Sequence, residues 1–214
     1  MKLSSPITIA LSKGRIFKDT LPLLKKIGIE PIEDIDRTRK LILNTNYENI
    51  KLVSIRATDV PTYVQWGAAD FGVTGKDILF EHGGGGLYEP LDLKIAKCEM
   101  WVAGYSDSDT TSRRIHVATK YVKAACEFFA KRGQQAEIIK LYGSMELAPM
   151  VGLSDIIVDL VESGNTLKAN GLVPLEFMHH ISSRLVVNKA SWKMKHEDCK
   201  TLVENLQHIV EDAE

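Results

Sequence analysis

Short apolar blocks recur along the chain, separated by polar segments whose apolar residues fall at helical spacing. Residues 7–11 (Ile-Thr-Ile-Ala-Leu) make an apolar run bounded by polar residues, the pattern of a buried strand. In residues 15–27, Ile16, Leu21, Leu23, Leu24 and Ile27 recur at helical spacing, and Gly28 supplies the stop. Strands are expected at 51–55 and 71–74 and helices at 59–67 and 77–82, with Asp59 as N-cap and Pro61 in the first turn. The four glycines at 83–86 read as a flexible surface loop, with an anion cradle as the alternative. A second unit begins near Leu93, with strands at 100–105 and 114–118 around the polar loop 106–112. A helix at 120–132, stopped by Gly133, a strand at 137–141, a short helix at 143–151 and a strand opening at Asp155 follow. The chain closes with a strand at 184–188 and a long amphipathic helix at 196–211. This alternation predicts a mostly parallel sheet covered on both faces, with ligand loops at the carboxyl ends of strands: 12–15, 56–59, 74–77, 142–146 and 162–166.

Residues 155–167 are the most informative stretch. An apolar strand leads into the polar loop Glu162-Ser163-Gly164-Asn165-Thr166, and a short helix opens at Thr166-Leu167 and stops at Gly171. Loop amides, the Ser163 and Thr166 hydroxyls and the helix dipole suit one phosphate. Asp159 and Glu162 would repel that phosphate, but they are good acceptors for two sugar hydroxyls. A phosphate beside a diol is a ribose 5-phosphate. The competing reading is an ordinary strand–turn–helix with solvated acids.

Composition narrows the class. The chain has 214 residues, 44% hydrophobic and 26% charged, as expected of a globular protein with a real core. A net charge of −1 gives no general attraction for nucleic acid or anionic membrane. Trp66, Trp101 and Trp192 are not interleaved with basic residues, so no nucleic-acid stacking platform is expected. No apolar run reaches the length of a membrane-spanning helix, and residues 1–6 lack a signal-peptide core. Cys98, Cys126 and Cys199 are odd in number and far apart, which suits a reducing cytoplasm and not a disulfide framework or zinc site. His179-His180 lies in an apolar stretch with no second pair of ligands and reads as structural.

Five further segments carry candidate chemistry. Ser12-Lys13-Gly14-Arg15 follows the first strand, and its Gly, Lys and Arg suit a phosphate; the first glycine of a nucleotide P-loop is missing. Arg37, Arg39 and Lys40 form a second basic cluster, either solvated or anion-binding. Arg56 stands just past a buried strand, where Asp59 or an anionic ligand would partner it. Residues 67–77 are dense in small residues, for tight turns or to bring backbone at 74–76 to a ligand. The segment 141–146 repeats the strand–Gly–Ser–helix form, with Glu146 as half of a capping box or as an acceptor for a substrate hydroxyl.

As an ordered set these motifs resemble the ATP phosphoribosyltransferase family, the first enzyme of histidine biosynthesis. The likeness lies in residues 10–15, 39–41, 56–61, 67–77, 140–149 and 155–171, and runs from about residue 6 to residue 205. It implies an α/β fold of two lobes resembling a type II periplasmic binding protein, with the active site in the cleft between them. Residues 1–92 plus 182–214 would form lobe one and 93–181 lobe two.

The implied reaction is Mg²⁺-dependent transfer of 5-phosphoribosyl from 5-phosphoribosyl 1-pyrophosphate to N1 of ATP, releasing pyrophosphate. The resemblance gives Lys13, Arg15 and Arg39 to catalysis. It gives Asp159, Glu162, Ser163, Gly164, Asn165, Thr166 and Leu167 to the phosphoribosyl group. Arg56, Gly75, Lys76, Asp77, Tyr142, Gly143, Ser144 and Glu146 would contact nucleotide or pyrophosphate. Mg²⁺ would be held mainly through substrate, with no protein cage. The length resembles the family's short form, which implies a partner subunit resembling histidyl-tRNA synthetase and a homodimer of the chain alone. A regulatory or solute-binding relative without turnover is the alternative.

Overall fold

Alternation along the first strand already sets two faces: Ile7, Ile9 and Leu11 belong to one apolar cluster and Ala10 to another. The computed structural model describes residues 3–33, 38–111 and 114–212. Arg37 of the second basic cluster and Ser112 of the polar loop lie outside them. The chain divides into two compact units, Met1–Ala96 with Ser182–Glu214 and Lys97–Ile181.

The first unit begins with β1 (Ile7–Ser12), α1 (Arg15–Lys26), β2 (Ile42–Asn44) and β3 (Ile50–Ile55). A single 3-10 turn, Ala57–Asp59, runs into α2 (Val60–Gln65), followed by β4 (Phe71–Gly75), α3 (Lys76–His82) and β5 (Leu87–Asp92). The second unit holds β6 (Cys98–Gly104), β7 (Arg114–Thr119), α4 (Val122–Lys131), β8 (Gln135–Lys140), α5 (Leu147–Met150), β9 (Ile156–Val161), α6 (Asn165–Ala169) and β10 (Val173–Ile181). The chain then rejoins the first unit as β11 (Ser183–Asn188), α7 (Lys189–Met194) and α8 (His196–Glu211).

The sheets are mixed, which corrects the expectation of a mostly parallel sheet. In the first, ordered β2-β3-β1-β4-β11-β5, only β3, β1 and β4 run parallel; β2, β11 and β5 pair antiparallel. In the second, ordered β10-β6-β9-β7-β8, the parallel set is β9, β7 and β8; β6 and β10 are antiparallel. The strands the pattern missed are β2, β5 and β10, all at sheet edges. β2 has three residues, and its Ile42 is exposed, so no alternation marks it. β5 and β10 contain Pro90 and Pro174, which demote a run when read as sequence but are tolerated where one side is unpaired. Register shifts in β10, between Pro174 and Glu176 and between Phe177 and His179, further blur its period.

Both faces of the first sheet are covered. α8 sets Cys199, Leu202, Leu206 and Val210 against Ile7, Ile9, Leu11, Phe71 and Val73, together with Phe17, Leu23 and Leu24 of α1. Val60, Val64 and Leu79 of α2 and α3 cover Ala10 and Val186 on the other side. Burying each large apolar side chain contributes on the order of 1.5–3 kcal/mol. α1 ends as its sequence implies, with Gly28 at φ 86 and the Ile29 N–H donating to Leu24 O at 2.9 Å.

Two helix starts differ from expectation. Asp59 is itself helical (φ −93, ψ −20) and its side chain caps nothing. The preceding 3-10 turn occupies that position, and the Thr58 hydroxyl donates to the Asp59 carboxylate at 3.3 Å. The helix expected at 143–151 contracts to Leu147–Met150, because Ser144 at φ 52 breaks helical backbone; Glu146 makes no capping bond.

Candidate active site

β9 delivers its carboxyl end into the loop 162–164, and α6 starts at Asn165. Gly164 sits at φ 72, ψ 2, the left-handed region that glycine enters without strain. A Cβ there would find only Val161 Cγ1, at 3.9 Å, so the demand for glycine comes from the backbone and not from crowding. Leu167 is buried with Ala103, Met145, Ala148, Ile157 and Leu172, which anchors the short helix on the sheet. Gly171 at φ 71 then ends the turn. Glu146, Asp159, Glu162, Ser163, Gly164, Thr166 and Leu167 line one cavity of about 230 Å³ together with Leu160 and Val161. Asp159 is half-buried and its Oδ1 accepts from the Leu160 N–H at 2.8 Å. Asn165 is exposed and outside that lining, and its N–H approaches Ser163 Oγ at 3.4 Å. Tyr142, Gly143 and Ser144 are exposed and also outside it, so Glu146 is the one residue their loop contributes.

The basic residues collect in the first unit. Lys13, Gly14, Lys18 and Lys25 from the start and one side of α1, with Thr38, Arg39, Lys40 and Leu41, line a groove of about 800 Å³ over Phe17, Leu21 and Leu43. Lys25 pairs with Glu30 at 3.1 Å and Lys40 with Glu33 at 3.2 Å. Lys13, Lys18 and Arg39 have no ion pair among the described residues, so the described lining of the groove carries more positive than negative charge. Lys18 joins this lining from one turn beyond Gly14, a helical spacing visible in the sequence. Gly14 adopts φ 93, ψ −140, a conformation that side chains strain against. Arg15 is exposed, 3.5 Å from Asp19, and does not line the groove.

The remaining candidates scatter. Arg56 is exposed, with no ion pair among the described residues, so burial does not demand a partner for it as expected. Lys76 is bound at 2.6 Å to Glu89, and the buried Asp77 places its carboxylate where a Gly75 side chain would stand. A side chain at Gly75 would require the Asp77 carboxylate to move. His180 is exposed and 3.3 Å from Glu99, while burial, with Lys131 nearby, lowers His179 below its ordinary pKa. Burial pushes the Cys199 thiol up to about 11. Among the described residues no helix is long and apolar enough to cross a membrane, and no three His, Cys, Asp or Glu side chains gather to hold a metal ion.

Comparison with known proteins follows the same residues. A family model described as HisG: ATP phosphoribosyltransferase matches residues 56–208. An ATP phosphoribosyltransferase of Nitrosococcus oceani is 61% identical over 206 residues, covering 96% of this chain and 97% of that protein. The solved ATP phosphoribosyl transferase (HisG:HisZ) complex from Thermotoga maritima contains a chain with TM-score 0.83 and 32% identity, covering 96% of this chain and 99% of that one. The periplasmic aliphatic sulphonate binding protein SsuA from Escherichia coli shares the fold alone, with TM-score 0.61 and 13% identity over 97% of this chain and 73% of that one. By family model and by relatives spanning almost its whole length, the chain belongs to the ATP phosphoribosyltransferase family, which carries out the first step of histidine biosynthesis.

Proposed function

We propose the following division of labour for ATP phosphoribosyl transfer in this chain. The amides and hydroxyls of residues 163–167 hold the 5-phosphate of 5-phosphoribosyl 1-pyrophosphate. The carboxylates of Asp159 and Glu162 accept from its ribose hydroxyls. One observation carries this reading: carboxylates, hydroxyls and a left-handed glycine from a single strand–loop–helix line the same small cavity. Lys13, Arg15 and Arg39 neutralise the pyrophosphate and the ATP phosphates, a role supported by the place of Lys13 and Arg39 in one groove, where neither has an ion pair among the described residues. Arg56, exposed and without an ion pair among the described residues, suits the same work, and Glu146 a hydroxyl of the substrate. Tyr142, Gly143 and Ser144 remain proposed nucleotide contacts. Lys76 and Asp77 are engaged within their own unit, which favours a loop-shaping part for Gly75–Asp77.

Adenine N1 is unprotonated near neutral pH, so its lone pair attacks C1 without a general base. The N1–C1 bond forms, the C1–O bond breaks, and pyrophosphate leaves with the electron pair while C1 inverts. A proton is lost afterwards from the exocyclic amine. Catalysis rests on holding the two reactants in line and on meeting the charge that grows on the departing oxygen. Mg²⁺ suits the oxygen donors at hand, since it takes one or two carboxylates and completes its shell with substrate phosphates and water. Asp159 and Glu162 are the carboxylates that would reach it, and it would neutralise phosphate charge. Purified chain with ATP, 5-phosphoribosyl 1-pyrophosphate and Mg²⁺ should release pyrophosphate; leaving Mg²⁺ out should abolish release, and unchanged release would remove the ion from the scheme.

We further propose a cytoplasmic location, and a second subunit resembling histidyl-tRNA synthetase; the two-component HisG:HisZ complex of the solved relative supports the second subunit. Feedback by histidine is then expected only with that subunit present. Potent non-competitive inhibition of the lone chain would place the regulatory site here.

A further inference from the structure

Three side chains stand abreast on one face of the second sheet. Phe177 of β10 is the register partner of Trp101 of β6, and Trp101 is the register partner of Asp159 of β9. Both pairings are antiparallel, so directly opposed side chains share a face, with Cβ atoms about 4.5–5.5 Å apart. It is the face that carries the phosphate loop: Ile157 and Val161, two residues either side of Asp159, pack with Leu167 of α6.

The Trp101 ring is held at two points. Its Nε1–H donates to Glu99 Oε2 at 2.9 Å, and Phe177 meets it edge-on, with centroids 5.5 Å apart and planes at 75°. Glu99 is in turn steadied by His180 Nδ1, 3.3 Å from Oε1, and His180 lies 4.6 Å from the Phe177 ring. Trp101 is nevertheless only half-buried. A large aromatic ring that is fixed in orientation yet partly open to solvent is a preformed stacking surface. It is not among the residues lining the sugar-phosphate cavity, which leaves it for the second reactant.

We infer that Trp101 is the stacking contact for the purine base of the acceptor nucleotide. The inference rests on Asp159 holding the ribose hydroxyls. The carbon bearing one of those hydroxyls is bonded to C1, so a group one strand away from Asp159 is within reach of whatever attacks C1. The base is flat, and a ring held by Glu99 and Phe177 meets it without losing further freedom. Glu99 and Phe177 act through Trp101 as positioning residues.

Steady-state kinetics on Trp101→Leu and Trp101→Phe tests this, with Asp159→Asn as the control on the sugar. Trp101→Leu is expected to raise KM for ATP about tenfold or more, the size of one lost base–aromatic stack, and to leave KM for 5-phosphoribosyl 1-pyrophosphate nearly unchanged. Trp101→Phe should recover most of the loss. An unchanged KM for ATP in Trp101→Leu, while Asp159→Asn raises KM for the sugar, overturns the stack alone. An Asp159→Asn chain with unaltered KM for the sugar overturns the ribose assignment and the stack with it. A second measurement does not depend on Trp101→Leu folding. The chain has three tryptophans, so Trp66→Phe with Trp192→Phe leaves Trp101 as the reporter. ATP should quench its fluorescence saturably, with a midpoint that follows KM for ATP; no change on ATP addition to active protein overturns the contact.

Discussion

Lys195 Nζ stands 2.7 Å from Asp70 Oδ1, and the same oxygen accepts from the Ser191 hydroxyl at 2.7 Å. The other carboxylate oxygen accepts from the Thr8 N–H at 2.9 Å, and Lys195 Nζ also donates to Pro6 O at 2.6 Å. One buried aspartate thus ties the starts of β1 and β4 to the corner between α7 and α8. Removing one member strands the other. We expect Asp70→Ala to cost roughly 3 kcal/mol, the low end for breaking a buried pair because Lys195 keeps some access to water. Urea unfolding should show a lower midpoint with an unchanged slope; a midpoint equal to that of the unmodified chain would show the pair to be dispensable.

Asp198 provides a pH signature. Burial pushes its carboxyl up, but the hydroxyl and N–H of Ser5 and those of Ser4 outweigh that and hold it at about 2, below the ordinary 3.8. The unfolded chain therefore binds this proton more readily than the folded one. The stability Asp198 adds is complete above about pH 4 and is lost as pH falls through about 2. The stability gap between the unmodified chain and Asp198→Asn should be constant from pH 7 to about 5 and shrink in acid. A gap that widens in acid would give the shift the opposite sign.

Much of this framework is legible in the sequence. The run 7–11, the spacing through 15–27 with Gly28 and the final helix are set by local period and by a stop, so they read directly. The edge strands β2, β5 and β10 do not, since pairing along one side leaves no alternation and tolerates proline. At the site, the loop 162–166 is legible because hydroxyls, glycine and acids sit next to one another in the chain. The Phe177–Trp101–Asp159 row is not, because it joins residues 58 and more positions apart through register alone. Arg56 shows the opposite failure: its place just past an apolar run suggests burial, yet residues 53–55 at the end of that strand are only half-buried and Arg56 itself is exposed.

Gly164 lets backbone conformation be separated from bulk. Its missing Cβ would meet nothing closer than 3.9 Å, so a side chain is penalised by the left-handed backbone. Titration calorimetry should rank affinity for 5-phosphoribosyl 1-pyrophosphate as glycine, then Gly164→Asn, then Gly164→Val, because asparagine tolerates this region and a β-branched residue does not. Equal affinities for all three would place the phosphate elsewhere.

Arg15 is expected to matter for the reaction more than for binding. If it meets charge that grows as pyrophosphate leaves, Arg15→Ala should lower kcat with little change in either KM, a loss of roughly 2.7–4 kcal/mol of transition-state stabilisation. A raised KM at constant kcat would make it a ground-state contact.

β11 has a consequence for how the polypeptide is made. Among the described residues β5 pairs only with β11, and β4 keeps an open edge until β11 slots between them. Synthesis from the N-terminus must therefore pass through all of Lys97–Ile181 before residues 183–188 emerge to fill that gap. During that interval the second unit has every strand it needs, and the first exposes the apolar flank of Phe71–Gly75 as a template for unwanted pairing. The nascent chain's vulnerability is thus written into its threading, and chaperone protection or a ribosomal pause would be of most use between the emergence of β4 and that of β11.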